Sequence, residues 1–527
     1  MIQSTLEIPS LQAHGAFGTP RTTRDAARRL LAAALPIGIA GDALLRGEMP
    51  RLGITIWIAQ LVLAAVILGG RGSTTRRLLL LGTMCAALGL AWHDAETLYA
   101  INILSVLCMG ALTVWHGSGG ALRTLTVVET MRAAVLAVIN ALGGAVDVIE
   151  RAKSADDRHD TGTGRVRALI IGTILAVPPL VVVTSLLASS DKVFDGLLSA
   201  MLNVVAVDDV RHVVVASALA WTAAGWLRAA LGDPIRAPVT QLRSPALVFA
   251  SVSVGLYALM AIVALFLATQ ARVLFGGAAF LMATQGLTVA NYAREGFFQM
   301  VGASAVVLAT LVMADWLLDP NDAVARRRYR VAGAVLVVLV AATLVSAIVR
   351  MSLYVSEFGL TVDRGMASAV MVWVVAALVA FSASILRGQS QHFAPATLLV
   401  TVAWVAMLNV VNLEGVVVRV NAARAAHGRP FDAAYHAGLS ADALPALRAA
   451  ATRLSATDCL TLEQQMTRMW AERRAAEERM NSWRGWDLSR AQLESWWATA
   501  AVRAPVDDQQ NASRPDLRDV RLCPHSP

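Results

Sequence analysis

Within otherwise apolar stretches of this chain, Arg350, Tyr354 and Glu357 recur at i, i+4 and i+7, which places them along one helical face. Asn409 and Asn412 stand at i, i+3, with Glu414 shortly after. Asp42 follows Pro36 and Gly41, His212 opens another apolar run, and Asp315 closes a third. An ionised side chain at the centre of a bilayer costs about 2.5–3.5 kcal/mol on insertion scales unless it is paired or wet. Such groups do one of two jobs: they line a path for an ion, proton or solute, or they bond one helix to another. For Asp42 and Asp315 the bonding reading is favoured. For the Arg350 face and the Asn409/Asn412 pair both stay open.

Other chemistry finds little support. The chain has no P-loop, no H-E-x-x-H, no G-x-S-x-G and no paired CxxC. Its nine histidines are scattered, and none stands with a second ligand type at metal spacing. The expectation is a protein without catalytic, cofactor or metal residues, and no enzyme. Gly69-Gly70, Gly119-Gly120 and Gly143-Gly144 read as close-packing sites in membrane helices.

The elements that must position these residues are membrane spans. Of 527 residues, 56% are hydrophobic and 16% charged, and mean hydropathy is +0.58. That composition excludes disorder and a string of soluble domains, which would lack polar surface. Apolar runs of about 20 residues suit a hydrocarbon core of about 30 Å. They fall at 28–47, 52–70, 78–93, 97–115, 167–188, 211–231, 245–269, 297–317, 331–350, 366–386 and 395–413, about eleven in all. The predicted fold class is therefore all-α, a polytopic helical membrane protein. Residues 125–150 and 192–207 read as helices lying in the interface, and 271–296 as a segment dipping partly into the membrane. No cleavage site follows the first run, which reads as an uncleaved span.

The net charge of +8 is a topology signal rather than a sign of nucleic acid. Arg71, Arg76, Arg77, Arg123, Arg132, Arg151, Arg165, Arg236, Arg243 and Arg326–Arg330 fall in alternate loops, whereas His93-Asp94-Ala95-Glu96 has no Arg or Lys. The positive-inside rule then puts the N-terminus in the cytoplasm and, after an odd number of spans, the C-terminal region outside. The domains read as a cytoplasmic tail 1–27, a first transmembrane group 28–115, an amphipathic helix and basic cytoplasmic loop 116–166, and a main transmembrane domain 167–417. A helical extracytoplasmic domain 418–504 and a flexible tail 505–527 follow. Outside the cytoplasm, Cys459 and Cys523 would meet oxidising conditions, and the expectation is a disulfide, with two unrelated cysteines as the alternative. Thr461–Met480 reads as an amphipathic helix, and Ser489–Gln492 as a capping box opening the last helix. Trp470, Trp483, Trp486, Trp496 and Trp497 form either an aromatic core, which is favoured, or a membrane-facing belt.

Several stretches resemble one known family. They are Leu274-Phe275-Gly276-Gly277, then Tyr292-Ala293-Arg294-Glu295-Gly296-Phe297-Phe298, then Arg350-Met351-Ser352-Leu353-Tyr354 followed by Phe358-Gly359-Leu360-Thr361 and Arg364. Asn412-Leu413-Glu414 with Arg419 and Asn421, then Tyr435 and Leu439–Leu447, continue the series. Together, over roughly 165–500, they resemble the bacterial polytopic membrane family numbered as domain of unknown function forty-one seventy-three. Leu413 and Glu414 depart from that family's Pro and Asp, which leaves a sharp helix stop there in doubt. The resemblance implies a polytopic bacterial envelope protein and no established activity, and the expected location is the bacterial inner membrane.

Arg294 and Glu295 are adjacent, about 100° apart on a helix, and cannot pair with each other. With the topology above, Tyr292, Arg294, Glu295, Arg350, Tyr354, Glu357, Asn409 and Asn412 are expected to form one outward-facing polar cluster, with Arg419 and Asn421 beside it. Two functions follow. One is an envelope sensor or scaffold whose partners are the lipid bilayer and an envelope protein bound by the C-terminal domain. The alternative is a transporter or channel for a small solute, ion or lipid. The first is preferred, because no internal repeat of the kind found in transporter halves is visible.

Overall fold

The computed structural model describes residues 23–46, 49–70, 72–121, 127–152, 208–234, 247–285, 297–478, 483–501 and 522–523, with a few positions between 187 and 197. Among the described residues the regular elements are helices, and an isolated bridge pairs Leu247 with Leu318. In chain order they are α1 (Arg24–Leu44), α2 (Arg51–Gly69), α3 (Thr74–Trp92), α4 (Glu96–Gly117), α5 (Val127–Ala152), α6 (Asp208–Ala230), α7 (Phe249–Gln285) and α8 (Phe297–Leu317). Next come α9 (Ala323–Phe358), α10 (Val362–Ser384), α11 (Phe393–Val411), α12 (Leu413–Ala426), α13 (Ala433–Ala437), α14 (Leu444–Ala451), α15 (Ala456–Glu478) and α16 (Leu488–Ala501). Nine of them are long and apolar enough to cross a membrane among the described residues, so the protein is an all-α polytopic membrane protein.

Ten of the expected spans have a helix at their position; the eleventh, 167–188, lies outside the described residues apart from Leu187, as does most of 192–207. α1 and α3 fall outside the nine, because Arg24, Asp25, Arg28 and Arg29, or Arg76 and Arg77, occupy their first turns. Both nonetheless pack along spans. Gly38 of α1 lies so close to Ala216 and Ala220 of α6 that a Cβ there would stand 2.4 Å from each. Local chemistry sets the starts: Thr23, Ser73, Asp322 and Thr361 accept the N–H groups of Ala26, Arg76, Ala325 and Arg364. α7 and α9 have 37 and 36 residues, about 55 Å each at 1.5 Å per residue. They exceed the hydrocarbon thickness. Residues 271–285, expected to belong to a dipping segment, simply continue α7.

Two cores organise the bundle. Leu30, Ala65, Val148 and Leu227 anchor one between α1, α2, α5 and α6. Leu256, Leu311, Leu336 and Phe381 anchor the other between α7, α8, α9 and α10. α11 stitches them together: Leu408 shares a core with Leu98 of α4 and Ala369 of α10, and Trp404 donates to the Ala369 carbonyl at 2.7 Å.

α5 stays with one end of the bundle. Leu136 packs with Val114 and Ala229, Arg151 pairs with Asp233 at 2.6 Å, and the Ala152 carbonyl accepts from Arg28 at 3.4 Å. These partners lie at the end of α4 or α6 or the start of α1, far from the C-terminal helices. Asp42 is paired with His212 at 3.1 Å and Asp315 with Arg326 at 3.3 Å, so both intramembrane acids bond helices together.

The C-terminal helices, from α12 onward, fold around Val418, Ala422, Leu444, Leu447, Leu462 and Met466. Cys459 and Cys523 are joined, with Cα atoms 5.9 Å apart, and Glu463 accepts the N–H groups of Leu522 and Cys523 at 2.9 and 3.0 Å. Trp496 packs on this core, but Trp483 and Trp486 are exposed, so the aromatic core expected here does not include them. The side chains of Trp470 and Trp497 lie outside the described residues.

A Cβ on Gly225 of α6 would stand 2.2 Å from the Asn140 carbonyl of α5. Backbone cannot yield as a side chain can, so Gly225→Val should cost about 1–3 kcal/mol through overpacking. It should lower the melting temperature of the detergent-solubilised protein, while Gly255→Val, at an open position, should not.

Candidate functional site

Where α1, α3 and α11 end and α2 and α4 begin, the C-terminal helices sit on the bundle through buried charges. Arg51, at the first position of α2, is 1% exposed. Its Nη1 and Nη2 donate to the His93 and Asp94 carbonyls, both at 2.8 Å. Its guanidinium also lies 5.1 Å from the Tyr99 ring centroid. It thereby fixes the short turn 93–95 that links α3 to α4.

That turn is gripped from the other side by Asp442. Its Oδ2 accepts the Asp94 and Ala95 N–H groups at 3.1 and 2.9 Å. Its Oδ1 accepts from His93 Nδ1 at 3.3 Å and from Ser489 Oγ. Burial would raise the Asp442 carboxyl, but the hydrogen bonds from His93 and Ser489 hold it below the ordinary carboxylate value. His93 Nε2 faces the Asn409 carbonyl at 2.7 Å. Both ring nitrogens face acceptors, so the ring satisfies both only as the doubly protonated imidazolium.

Asp94 completes the junction, accepting from Arg490 Nε at 2.6 Å and from the Ala441 N–H at 3.1 Å. Asp487, fully buried, accepts the Arg490 N–H at 2.9 Å and so caps α16. The expected capping box at Ser489 is thus corrected. Asp487 is the cap, because the Ser489 hydroxyl is taken by Asp442. The Oδ2 of Asp487 and the Nε of Arg51 are both buried without a hydrogen bond and stand 3.9 Å apart. This is the slack joint of the network. Burial and the Asp94 carboxylate push the Asp487 carboxyl up to about 7. Glu414 is also pushed to about 7 by burial, although Ser440 bonds it through N–H and Oγ at 2.8 and 2.7 Å.

The amides extend the junction into the membrane. Asn102 of α4 and Asn409 of α11 bond reciprocally at 2.9 and 3.0 Å, and Gly89 of α3 leaves room for them. Asn412, left-handed at φ 47°, accepts the Gly415 N–H at 2.9 Å and donates to the Asp442 carbonyl at 2.8 Å. It therefore supplies the sharp stop between α11 and α12 that Leu413 and Glu414 left in doubt.

The expected single cluster separates into two sets. Asn409 and Asn412 belong to the junction just described. Tyr354, Glu357 and Asn421 belong to the α9–α10 turn. There the Arg364 guanidinium lies 4.1 Å from the Tyr354 ring, Glu357 pairs with Arg429 at 3.3 Å, and Asn421 clamps Leu360 through its N–H and C=O at 2.8 and 2.7 Å. Arg350 is buried further down α9, on the face that carries Thr343 and Ser346, and Arg419 is exposed. Tyr292, Arg294 and Glu295 lie outside the described residues. Sequence reading passed over Arg51, Asn102 and Asp487, and did not pair His93 with Asp442 or Asn409. The available signal was a three-residue connection carrying His and Asp between two apolar runs.

The geometry is that of a latch. Ser489 and His93 address the same carboxylate and not each other, so no nucleophile–base pair exists there. Among the described residues no cluster of three metal-ligating side chains occurs. A family model described as domain of unknown function DUF4153 matches residues 80–450. The expected class, a domain of unknown function, is what the match gives; its number is 4153, where the motifs had pointed to forty-one seventy-three. The matched range takes in His93, Asp94 and Asp442 but not Arg51 or Asp487. No curated protein and no solved structure matches the chain.

Removing Arg51 strips the His93 and Asp94 carbonyls of their buried donors, while Asp94 and Asp487 keep Arg490 beside them at 2.6 and 3.2 Å, so Arg51→Met should cost about 1–3 kcal/mol; thermal unfolding in detergent reads it. A carboxyl raised on folding binds more protons folded than unfolded, so stability rises as pH falls through about 7. Asp442, held low, does not oppose this until far lower pH. The melting temperature should be higher near pH ~6 than near pH ~8, and Glu414→Gln with Asp487→Asn should flatten that difference.

Proposed function

The chain belongs to the family described as domain of unknown function DUF4153, and we propose that it is an envelope sensor or scaffold of the bacterial inner membrane. Its helical C-terminal domain would face outward and bind an envelope protein. The observation that carries this reading is the latch. One buried network ties that domain to the ends of α2, α3, α4 and α11, so a load or a partner on the domain acts on several spans together.

The sidedness has two supports. Arg76, Arg77, Arg151 and the Arg326–Arg330 group lie at the bundle end remote from the C-terminal domain, as the positive-inside rule requires of a cytoplasmic face. The Cys459–Cys523 bond suits an oxidising compartment. The transporter alternative keeps one favouring observation: Thr343, Ser346 and Arg350 form a buried polar stripe along α9.

Crosslinking intact cells with a membrane-impermeant reagent should trap a defined adduct of the full-length protein. Asp442→Asn, which loosens the latch without deleting the domain, should diminish a downstream response while leaving that adduct. Solute flux in vesicles that Arg350→Gln abolishes, with no adduct, would select the transporter. After reduction, an impermeant maleimide should label Cys459 and Cys523 from outside; labelling only after lysis would reverse the topology.

A further inference from the structure

The latch explains how the C-terminal domain is held but not why one of its turns carries exposed indoles. Trp483 is 56% exposed, Trp486 43% and Trp92 58%. Elsewhere in the domain an indole is used conventionally: Trp496 packs on the core, with the Arg448 guanidinium 5.6 Å from its ring.

The position of these three rings is informative. The turn Trp483–Gly485 reaches down to the membrane helices, where Arg484 donates to the Ala43 carbonyl in the last turn of α1. A Cβ on Gly485 would stand 3.7 Å from the Met49 carbonyl between α1 and α2. Trp92 is tied to the same region, since Ser489 Oγ lies 3.1 Å from its carbonyl. The turn therefore sits at the level where the apolar spans end.

Trp92 also continues a lipid-facing surface. Leu78, Leu81 and Leu88 of α3 are exposed with it, and at about 100° per residue the four positions fall within about 80° of one another. Leu35 and Ile39 give α1 an exposed apolar face that leads toward Ala43. A ring that is apolar in body and polar at its N–H is best placed where hydrocarbon meets headgroups.

We infer that Trp483 and Trp486, together with Trp92, seat the C-terminal domain in the headgroup–acyl boundary of the phospholipid bilayer. The partner is the lipid surface itself, recognised through indole burial rather than through a particular headgroup. The domain is thereby held twice, by the latch to the spans and by this turn to the lipid around them. The inference rests on the membrane-spanning fold and is independent of the sensor reading.

The test uses full-length protein in phosphatidylcholine vesicles containing lipid brominated near the carbonyl end of its acyl chains. The parent spectrum minus that of W483F/W486F isolates the emission of the two indoles. That difference should lose most of its intensity with brominated lipid and little with iodide in the water. W483F and W486F singly should each remove part of the quenched signal, which guards against a fold defect in the double variant. A difference signal quenched by iodide and not by brominated lipid overturns the inference and marks a water-facing surface. A signal insensitive to both also overturns it, since the rings would then be covered by protein.

Discussion

A guanidinium buried to 1% exposure at the start of a membrane helix is the constraint from which the architecture of this end of the bundle follows. Arg51 cannot shed its charge, and leaving it unmatched in a dry site would cost several kcal/mol. Its Nη1 and Nη2 are met by two backbone carbonyls of the short turn between α3 and α4. The turn's own N–H groups then need an acceptor, and Asp442 supplies it from the domain above. Each partner is forced by the one before.

The consequence is a junction in which the parts are not separable. Asp442 receives four donors, from Asp94, Ala95, His93 and Ser489. His93 is held between that carboxylate and the carbonyl of Asn409, which belongs to a span. Asn409 in turn is locked to Asn102. Lifting the domain would expose unpaired groups on α2, α3, α4 and α11 together, so the cost is shared and the motion is cooperative. Arg51 and Asp487 face each other without a hydrogen bond, which puts the weakest joint where the domain meets α2.

The spans were legible because the bilayer imposes one length and one composition on any helix that crosses it. The limits of that reading show at α1 and α3, where terminal arginines dilute the apolar signal, and at α7, which runs past the expected end as one helix. The stop after α11 stays in doubt at the sequence level for another reason. A proline would mark it, whereas Asn412 does the same work by adopting a left-handed backbone and capping the next helix with its own side chain.

The sequence by itself determined the class, the approximate span positions and a basic and a non-basic set of loops, because hydropathy and charge act residue by residue. Only the tertiary structure decided which polar groups meet. Tyr354, Glu357, Asn409 and Asn412, read as one cluster, lie at the same end of the bundle, but partnership depends on distances of about 3 Å between segments far apart in the chain. Asp442 lies 349 positions from His93 and still bonds it. Helical spacing reports which residues share a face; it carries no information about what that face will touch.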